Sequence, residues 1–246
     1  MPSRLGRIYH AAYAVLSGTA PQVRPWHFQW LGQRDLTADL REILPTLRGR
    51  LLDVGCGEKP YGRWLPGVRE HLGIDVYPGP RVDHVIAPHE AWPFPDASFD
   101  AVLCTQVLEH AVDPGHALEE IRRVVKPGGD VIVTVPFIYG EHGLPFDFRR
   151  FAASELTRLF EDGYEIVEVR RQGAIGSTLG TLFLHWLDEA TFRSRFARLL
   201  KPPLLPLFIV LSGAINLVCR LGDRLDGTGE FYGNVLLHAR RESAPV

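Results

Sequence analysis

Short apolar runs alternate with helical patterns along most of this chain. The apolar runs predict strands at 50–54, 71–76, 99–104, 128–137 and 164–171. Between them, apolar residues at helical spacing predict helices at 60–65, 115–125 and 154–160. Strands that alternate with helices form a mostly parallel, doubly wound sheet with helices on its faces. The expected fold class is therefore α/β.

The two ends of the chain extend this pattern. Residues 1–48 predict an amphipathic helix, an irregular proline- and aromatic-rich segment suited to a lid, and a second helix that stops at Gly49. A last, antiparallel strand is expected at 230–241. Residues 174–229, which join this strand to the preceding one, are longer than an ordinary connection between strands. They are therefore interpreted as an insertion. The core domain would then comprise 49–173 and 230–241.

The insertion is hydrophobic. One helical face carries apolar residues, and an uncharged run at 202–219 follows a basic stretch; these are Leu179, Leu182, Phe183, Trp186 and Leu187, then Arg193, Arg195, Arg198 and Lys201. Pro202, Pro203 and Pro206 are expected to leave about a dozen continuous helical residues, too few for a membrane span. The segment could lie in a membrane interface or bind a lipid-linked acceptor. Alternatively it caps the substrate pocket or forms a homodimer contact.

Composition narrows the class of protein. The chain has 246 residues, 46% hydrophobic and 23% charged, which indicates one packed α/β domain with an insertion. A net charge of -2 gives no electrostatic reason to expect a nucleic-acid partner. The three cysteines are widely spaced without a CxxC pair, so neither a disulfide framework nor a metal site is expected. These features favour a reducing, cytoplasmic setting.

The stretch LLDVGCGEKPYG, 51–62, provides the first chemical signal. Gly55 and Gly57 let the backbone turn sharply after a strand, while Asp53 supplies a carboxylate. Asp75 ends the next strand about 20 residues later, the distance at which a carboxylate meets ribose hydroxyls. The bulky, partly acidic continuation through Pro60 does not suit a pyrophosphate. The turn therefore favours a ligand with a ribose and no phosphate, the alternative being a tight corner without a ligand.

Four further stretches occur in a fixed order with LLDVGCG: GIDV (73–76), WPFPDASFDAV (92–102), CTQVLEH (104–110) and VKPGG (125–129). Together they resemble the class I S-adenosylmethionine-dependent methyltransferases, in particular the small-molecule branch with LDVGCG, LPF, SFD, LEH and LKPGG motifs. The resemblance covers about residues 51–169. It implies a Rossmann-like fold and S-adenosyl-L-methionine as the cofactor.

The resemblance also implies a role for each matching position. Asp53, Gly55 and Gly57 would hold the methionine half of the cofactor, and Asp75 would bind both ribose hydroxyls. Val76 would lie beside the adenine, and Thr105, at the centre of 104–106, would lie under the methionine chain. Relatives have an acidic residue for the adenine amino group where this chain has Pro88. The backbone of His89 or the side chain of Glu90 could make that contact instead, and His89 is taken as the candidate.

The loop after the fifth strand, FIYGEHGLPFDFRRFAASEL (137–156), is rich in polar groups that no core requires. It resembles the EH...PxDxxR(F/Y)T stretch of methyltransferases associated with glycan or other secondary-metabolite pathways. His142 is the candidate general base, with Asp147 as its orienting partner or as a ligand of the acceptor hydroxyl. Alternatively, Asp147 pairs with Arg150 and His142 is a spectator.

Glu109 and His110 of the LEH stretch are interpreted either as part of the site or as a structural pair that fixes a loop.

The predicted function is methyl transfer to a small-molecule, glycan or lipid-linked acceptor, with oxygen as the expected acceptor atom. Two other functions stay open: a non-catalytic binding subunit with this fold, and a nicotinamide-dependent oxidoreductase, against which Pro60 argues. A nucleic-acid substrate is disfavoured because the basic residues are dispersed and no Asn-Pro-Pro-aromatic motif is present.

Overall fold

A computed structural model describes residues 4–193 and 199–243 of the chain. Its helices are α1 (Arg4–Ser17), α2 (Trp30–Ile43), α3 (Pro114–Val124), α4 (Ala153–Leu159), α5 (Ile175–Arg193) and α6 (Leu205–Gly222). Its strands are β1 (Gly49–Val54), β2 (Val68–Asp75), β3 (His84–Val85), β4 (Phe99–Thr105), β5 (Val125–Pro136), β6 (Tyr164–Gln172) and β7 (Asn234–Arg241). The chain divides into two compact units: Met1–Thr37 with Ile138–Gly140 and Gln172–Gly233, and Ala38–Phe137 with Glu141–Arg171 and Asn234–Val246.

The second unit contains a seven-stranded sheet in the order β3-β2-β1-β4-β5-β7-β6. Strands β1 to β5 pair in parallel, and β7 pairs antiparallel with β5, from Asp130 opposite Arg240 to Pro136 opposite Asn234. The central strands are fully buried at Leu52, Leu103 and Ile132. Because their apolar runs are covered on both faces, they read as continuous rather than alternating hydrophobic stretches. The predicted α/β fold with an antiparallel last strand is confirmed.

Two local predictions for this unit were wrong. The helix expected at 60–65 is a three-residue 3₁₀ turn, Gly62–Trp64, so a short connection leads from β1 to β2. The two-residue strand β3 was not predicted because such a short pairing has no periodic signal. The end of β3 nevertheless lies beside the end of β2, because the Ile86 N–H donates to the Asp75 carbonyl at 3.0 Å.

The first unit is helical, with α5 and α6 in close contact. Gly176 and Gly180 lie one turn apart on α5. A Cβ at Gly176 would come within 2.1 Å of the Cys219 carbonyl oxygen, and one at Gly180 within 2.8 Å of its sulfur. Only glycine therefore lets the two backbones approach this closely, as small residues four apart do in tightly packed helix pairs.

These two helices turn polar residues inward and apolar residues outward. On α5, Ser177, Thr178, Thr181 and Asp188 are buried, whereas Leu179, Phe183 and Trp186 of the predicted apolar face are 47–60% exposed. On α6, Ser212 and Asn216 are buried, whereas Leu207, Val210, Leu217 and Val218 are 61–69% exposed. Leu184 of α5 and Leu205 of α6 are buried as well, so the helix pair combines a mixed polar and apolar interior with an extensive apolar surface.

The expectation that prolines would shorten the apolar segment to about a dozen helical residues was wrong. Helix α6 has 18 residues and begins at Leu205, so Pro206 lies in its first turn, where a missing N–H costs little. By length and composition, Leu205–Leu225 could cross a membrane: its mean hydropathy is 1.8, and 17% of its most apolar window is buried. The predicted insertion 174–229 lies within the first unit, whereas Arg195 and Arg198 lie outside the described residues.

Candidate active site

The glycine turn follows directly from β1. Gly55 and Gly57 have φ angles of 63° and 47°, in the left-handed region that side chains disfavour. A Cβ at Gly55 would lie 2.3 Å from a methyl carbon of Val107, so this position is closed by packing. At Gly57 a Cβ would meet nothing within 4 Å. The turn therefore leaves an open backbone surface at Gly57, as a ligand that approaches the main chain requires.

Asp53 lies near the end of β1, and its side chain is 2% exposed. One carboxylate oxygen is 2.9 Å from His71 Nε2 on β2. Burial raises the pKa of Asp53, while the hydrogen bond and charge of His71 act in the opposite direction. A buried carboxylate of this kind is stabilised by a cationic partner. Asp53 thus fits the ammonium group of the methionine half of the cofactor.

Asp75, at the end of β2, is tied to the same turn. Its carboxylate accepts hydrogen bonds from the Gly57 N–H at 3.1 Å and the Tyr77 N–H at 3.0 Å. Two carboxylate oxygens have about four acceptor positions, so both can still accept from ribose hydroxyls. Val76 and Tyr77, which follow, are 47% and 61% exposed and offer apolar surface for an adenine ring. The structure therefore brings Asp53, Gly55, Gly57 and Asp75 together at one sheet edge.

Lys59 and Asp83 fasten the turn to β2, which the sequence did not indicate. Lys59 has a φ of 49°, and its ammonium is 2.5 Å from an Asp83 carboxylate oxygen and 2.8 Å from the His71 carbonyl. The same Asp83 oxygen accepts the Gly73 N–H at 2.7 Å. Burial acts to raise the pKa of Asp83, but these hydrogen bonds and the Lys59 charge lower it further. The net shift is downward. The glycine turn is consequently held in place before any ligand binds.

Thr105 ends β4, the strand next to β1 in the sheet. It is half-buried, and its side chain lies near that of Tyr61, a proximity that the sequence did not predict. Gln106 follows with a φ of 56°, and its N–H donates to the Thr134 carbonyl at 2.8 Å. The sulfur-bearing side chain of Cys104 is fully buried in the core instead. Within 104–106, Thr105 and Gln106 are thus the residues placed at the sheet edge.

His89, the candidate for the adenine amino group, lies on the exposed turn after β3. The turn is closed by the Glu90 N–H, which donates to the Ala87 carbonyl at 3.1 Å. Because the end of β3 is hydrogen-bonded to Asp75, this turn follows closely on the proposed ribose position. The adenine contact of His89 stays a prediction.

His142 and Asp147 lie side by side in the loop after β5. The Asp147 carboxylate accepts the His142 backbone N–H at 2.7 Å, and one of its oxygens is 3.5 Å from the ring nitrogen Nδ1 of His142. Arg150 donates to both oxygens of Asp147, at 2.6 and 2.8 Å. These donors, Arg150 above all, hold the pKa of Asp147 well below its usual range. Asp147 is therefore a fixed anion that can orient His142, and its pairing with Arg150 is present as well.

The LEH stretch holds this loop from the other side. His110 Nδ1 lies 2.6 Å from the Phe146 carbonyl, and the Phe148 N–H donates to the Glu109 carbonyl at 2.9 Å. The His110 and His142 rings meet edge-to-face with centroids 4.8 Å apart. The Glu109 side chain is fully buried, and in the described part of the chain neither of its oxygens has a hydrogen-bond partner. Burial raises the pKa of Glu109 to about 8.

Sequence reasoning missed His71, Lys59 and Tyr61 as parts of this site. His71 carried a weak signal, because it is a polar residue at the start of the apolar run 71–76 on the strand next to Asp53. The contacts of Lys59 and Tyr61 gave no signal in the sequence, because they depend on the path of the loop after β1.

Comparison with known proteins agrees with this geometry. The profile of a family described as "Methyltransferase domain" matches residues 52–133. A protein of Mycolicibacterium smegmatis, named as a probable S-adenosylmethionine-dependent methyltransferase, is 36% identical over 135 residues. The match covers 47% of this chain and 52% of that protein. The demethylmenaquinone methyltransferase of Clavibacter sepedonicus is 31% identical over 176 residues, which cover 64% of this chain and 71% of the relative.

The matches also show how much of each relative resembles this chain. The chain spans 40–52% of the length of the first three curated relatives that it matches. Among solved structures, the [4+2]-cyclase SpnF superposes with a TM-score of 0.58 at 21% identity, over 99% of this chain and 97% of the other, which shows a shared fold. The resemblance drawn from the motifs and the assignment of S-adenosyl-L-methionine as the cofactor are confirmed. The chain belongs to the class I S-adenosylmethionine-dependent methyltransferases.

Proposed function

We propose that the protein transfers a methyl group from S-adenosyl-L-methionine to an oxygen of a small-molecule acceptor. The observation that carries the donor half is the edge formed by Asp53, the open turn at Gly57 and Asp75. A carboxylate for an ammonium, a bare backbone surface and a carboxylate for two hydroxyls match the groups of this cofactor in order. When bound, the cofactor supplies an electrophilic methyl group on a sulfonium.

The acceptor oxygen is proposed because the loop after β5 offers a base. Displacement at a sulfonium needs alignment and exclusion of water, and needs a proton acceptor when the nucleophile is a hydroxyl. His142, oriented by the fixed anion Asp147, would take that proton. An acceptor that attacks as a neutral amine would not need His142 and Asp147 to remove a proton before the transfer.

The acceptor is further proposed to be held at a membrane, as a glycan or other small molecule linked to lipid. The support is the apolar surface of α5 and α6, on which Leu207 and Val210 are exposed while the polar Asn216 and Asp188 are buried. Exposed apolar area of this kind is favourable against acyl chains and unfavourable against water. An apolar groove lined by Leu187, Leu204, Phe208 and Leu211 lies in the same unit and would suit a lipid chain.

Charge supports a membrane surface over another protein. Helix α6 has the exposed Arg220 in its last turn, and the exposed Arg224 follows it, whereas Lys201 before the helix is buried against Asp188. Basic residues next to an apolar helix bind anionic lipid headgroups, each contributing about 1 kcal/mol near the surface. We therefore infer a peripheral position at the cytoplasmic face of a membrane. The free state of Cys56, Cys104 and Cys219 fits the reducing side. A homodimer contact through the same helices is the competing use of this surface.

The fold alone does not decide the chemistry, since the cyclase that shares it is named for a different reaction. Two measurements test the proposal. Calorimetric titration with S-adenosylhomocysteine should show binding, whereas NAD should show none. Incubation with cofactor and a lipid extract should then yield a product heavier by one CH₂, detected by mass spectrometry. Binding without any methylated product, from either lipid or water-soluble extracts, would favour a non-catalytic binding subunit.

A further inference from the structure

Three ligand-bearing side chains converge beside the acceptor loop. One atom each from Glu109, His110 and His142 lies within 4.8 Å of the other two. Adjacent ligands of a tetrahedral Zn²⁺ are about 3.3 Å apart, since each lies about 2 Å from the ion. A modest inward movement of two imidazoles, which are 28% and 36% exposed, would bring the set to that spacing.

Glu109 gives this cluster a second, independent feature. Its side chain is fully buried next to the two imidazoles, and neither oxygen has a hydrogen-bond partner among the described residues. Buried carboxylates in folded proteins are normally paired, hydrogen-bonded or bound to a metal. A buried carboxyl group without a hydrogen-bond partner, next to two histidines, is therefore a group that a bound cation would satisfy.

The histidines are held in states suited to ligation. A carbonyl oxygen cannot donate, so His110 must carry its proton on Nδ1 to bond the Phe146 carbonyl at 2.6 Å. That leaves the lone pair on Nε2, which lies 3.8 Å from Glu109 Oε1. On His142, Nδ1 lies beside Asp147, as in the carboxylate–histidine–metal arrangements that orient ligating imidazoles.

We propose that Glu109, His110 and His142 bind a divalent transition-metal ion such as Zn²⁺. Two imidazoles and one carboxylate make a set that leaves a position open for a further ligand. The inference rests on the proposed function: the open position would take the acceptor hydroxyl, whose pKa the cation lowers. Methyl transfer then forms an O–CH₃ bond, breaks the S–CH₃ bond and releases the hydroxyl proton to water. His142 would then bind the ion instead of taking the proton, so the ion would replace the base of the proposed function while the acceptor oxygen stays the same.

The test is zinc binding to the full chain, with Zn²⁺ as the probe. Metal is removed with a chelator, and Zn²⁺ affinity is measured by competition with a chromogenic chelator. We expect one high-affinity zinc per chain. Glu109→Gln keeps the size of the side chain, and His110→Gln keeps an N–H group that can donate a hydrogen bond. Each substitution should lower the zinc affinity by at least about tenfold. Glu119→Gln, a carboxylate on the exposed side of α3, should leave it unchanged.

S-adenosylhomocysteine binding, measured on every variant, shows that each is folded and separates this inference from the proposed function. Zinc that binds to the native chain and is lost in Glu109→Gln supports the site, even where no methyl transfer is found. Equal zinc affinity in the native chain and Glu109→Gln overturns it. Methyl transfer that persists at full rate in the metal-free protein overturns the role of the ion in activating the acceptor, while leaving the proposed function in place.

Discussion

The Asp75 carboxylate accepts the backbone N–H of Gly57 at 3.1 Å. This bond joins the end of β2 to the open part of the turn after β1. It means that the residue proposed to bind the ribose also shapes the backbone on which the methionine half would lie. The residues proposed to bind the cofactor at this edge are consequently joined in one connected structure.

Replacing Asp75 should weaken cofactor binding. Asp75→Ala removes the ribose acceptor and frees the Gly57 and Tyr77 N–H groups. Hydrogen bonds to a charged group contribute about 1.5–3 kcal/mol, so affinity for S-adenosylhomocysteine should fall by about tenfold to a hundredfold. Calorimetric titration measures the change. The matched control is Asp162→Ala, at a carboxylate 95% exposed, which should bind normally; equal affinity in both variants would contradict the assignment.

Replacing His142 should affect the chemical step and not cofactor binding. His142→Ala removes the proposed base, and we expect turnover to fall by a factor of about a hundred or more. S-adenosylhomocysteine affinity should stay nearly intact, because the donor-binding residues lie on other loops. The control is His116→Ala, on α3. Turnover that is the same in both variants would show that His142 is a spectator beside the Asp147–Arg150 pair.

The exposed face of α6 should control membrane association. In a double variant, Leu207→Gln with Val210→Gln, two side chains exposed by 62% and 69% lose their affinity for acyl chains. Burial of such side chains contributes about 1.5–3 kcal/mol each, so binding to anionic vesicles should weaken by at least about tenfold. Flotation of vesicles containing phosphatidylglycerol measures it.

The control for this surface is a second double variant, Val112→Gln with Val167→Gln, which changes exposed valines of the sheet-containing unit. It should bind vesicles as the native chain does. If the native chain itself ignores such vesicles at low salt but dimerises, with the dimer lost in the α6 variant, the surface is a homodimer contact.

Acid should destabilise the first unit through His27. Its ring packs against Tyr13, its Nδ1 accepts the Gln29 N–H at 3.0 Å, and burial lowers its pKa to about 4. Above about pH 6.5 the ring is neutral in both states and has no effect. As the pH falls from there toward 4, the unfolded chain takes up a proton that the folded chain does not, so stability declines.

Urea unfolding at about pH 5 and about pH 7.5 measures this loss. His27→Gln, which cannot titrate, should lose less stability between the two conditions than the native chain. His10→Gln, at an exposed histidine, serves as the control and should behave as the native chain. An identical loss in His27→Gln and the native chain would show that the ring does not resist protonation.

The sequence by itself determined most of the strands and helices of the sheet-containing unit and the positions of the residues proposed to bind the methyl donor. Strands such as β1 are buried on both faces and have a continuous apolar run. Gly55 and Gly57 lie in the turn that follows β1, and Asp75 ends β2. Those features are local in the chain, so a local pattern specifies them. The wrong expectation for Pro206 shows the limit of this logic, because a proline breaks a helix only where its missing N–H is needed.

The tertiary structure alone decided the partners of the buried charges and the direction of the helical faces. His71 meets Asp53, and Glu109 meets His110 and His142, across loops that the sequence keeps far apart. On α5, periodicity located an apolar face, but only the packing of the helix around Gly176 placed Leu179, Phe183 and Trp186 at the surface. The physical reason is that periodicity states which residues share a face, whereas burial depends on which face the neighbouring chain covers.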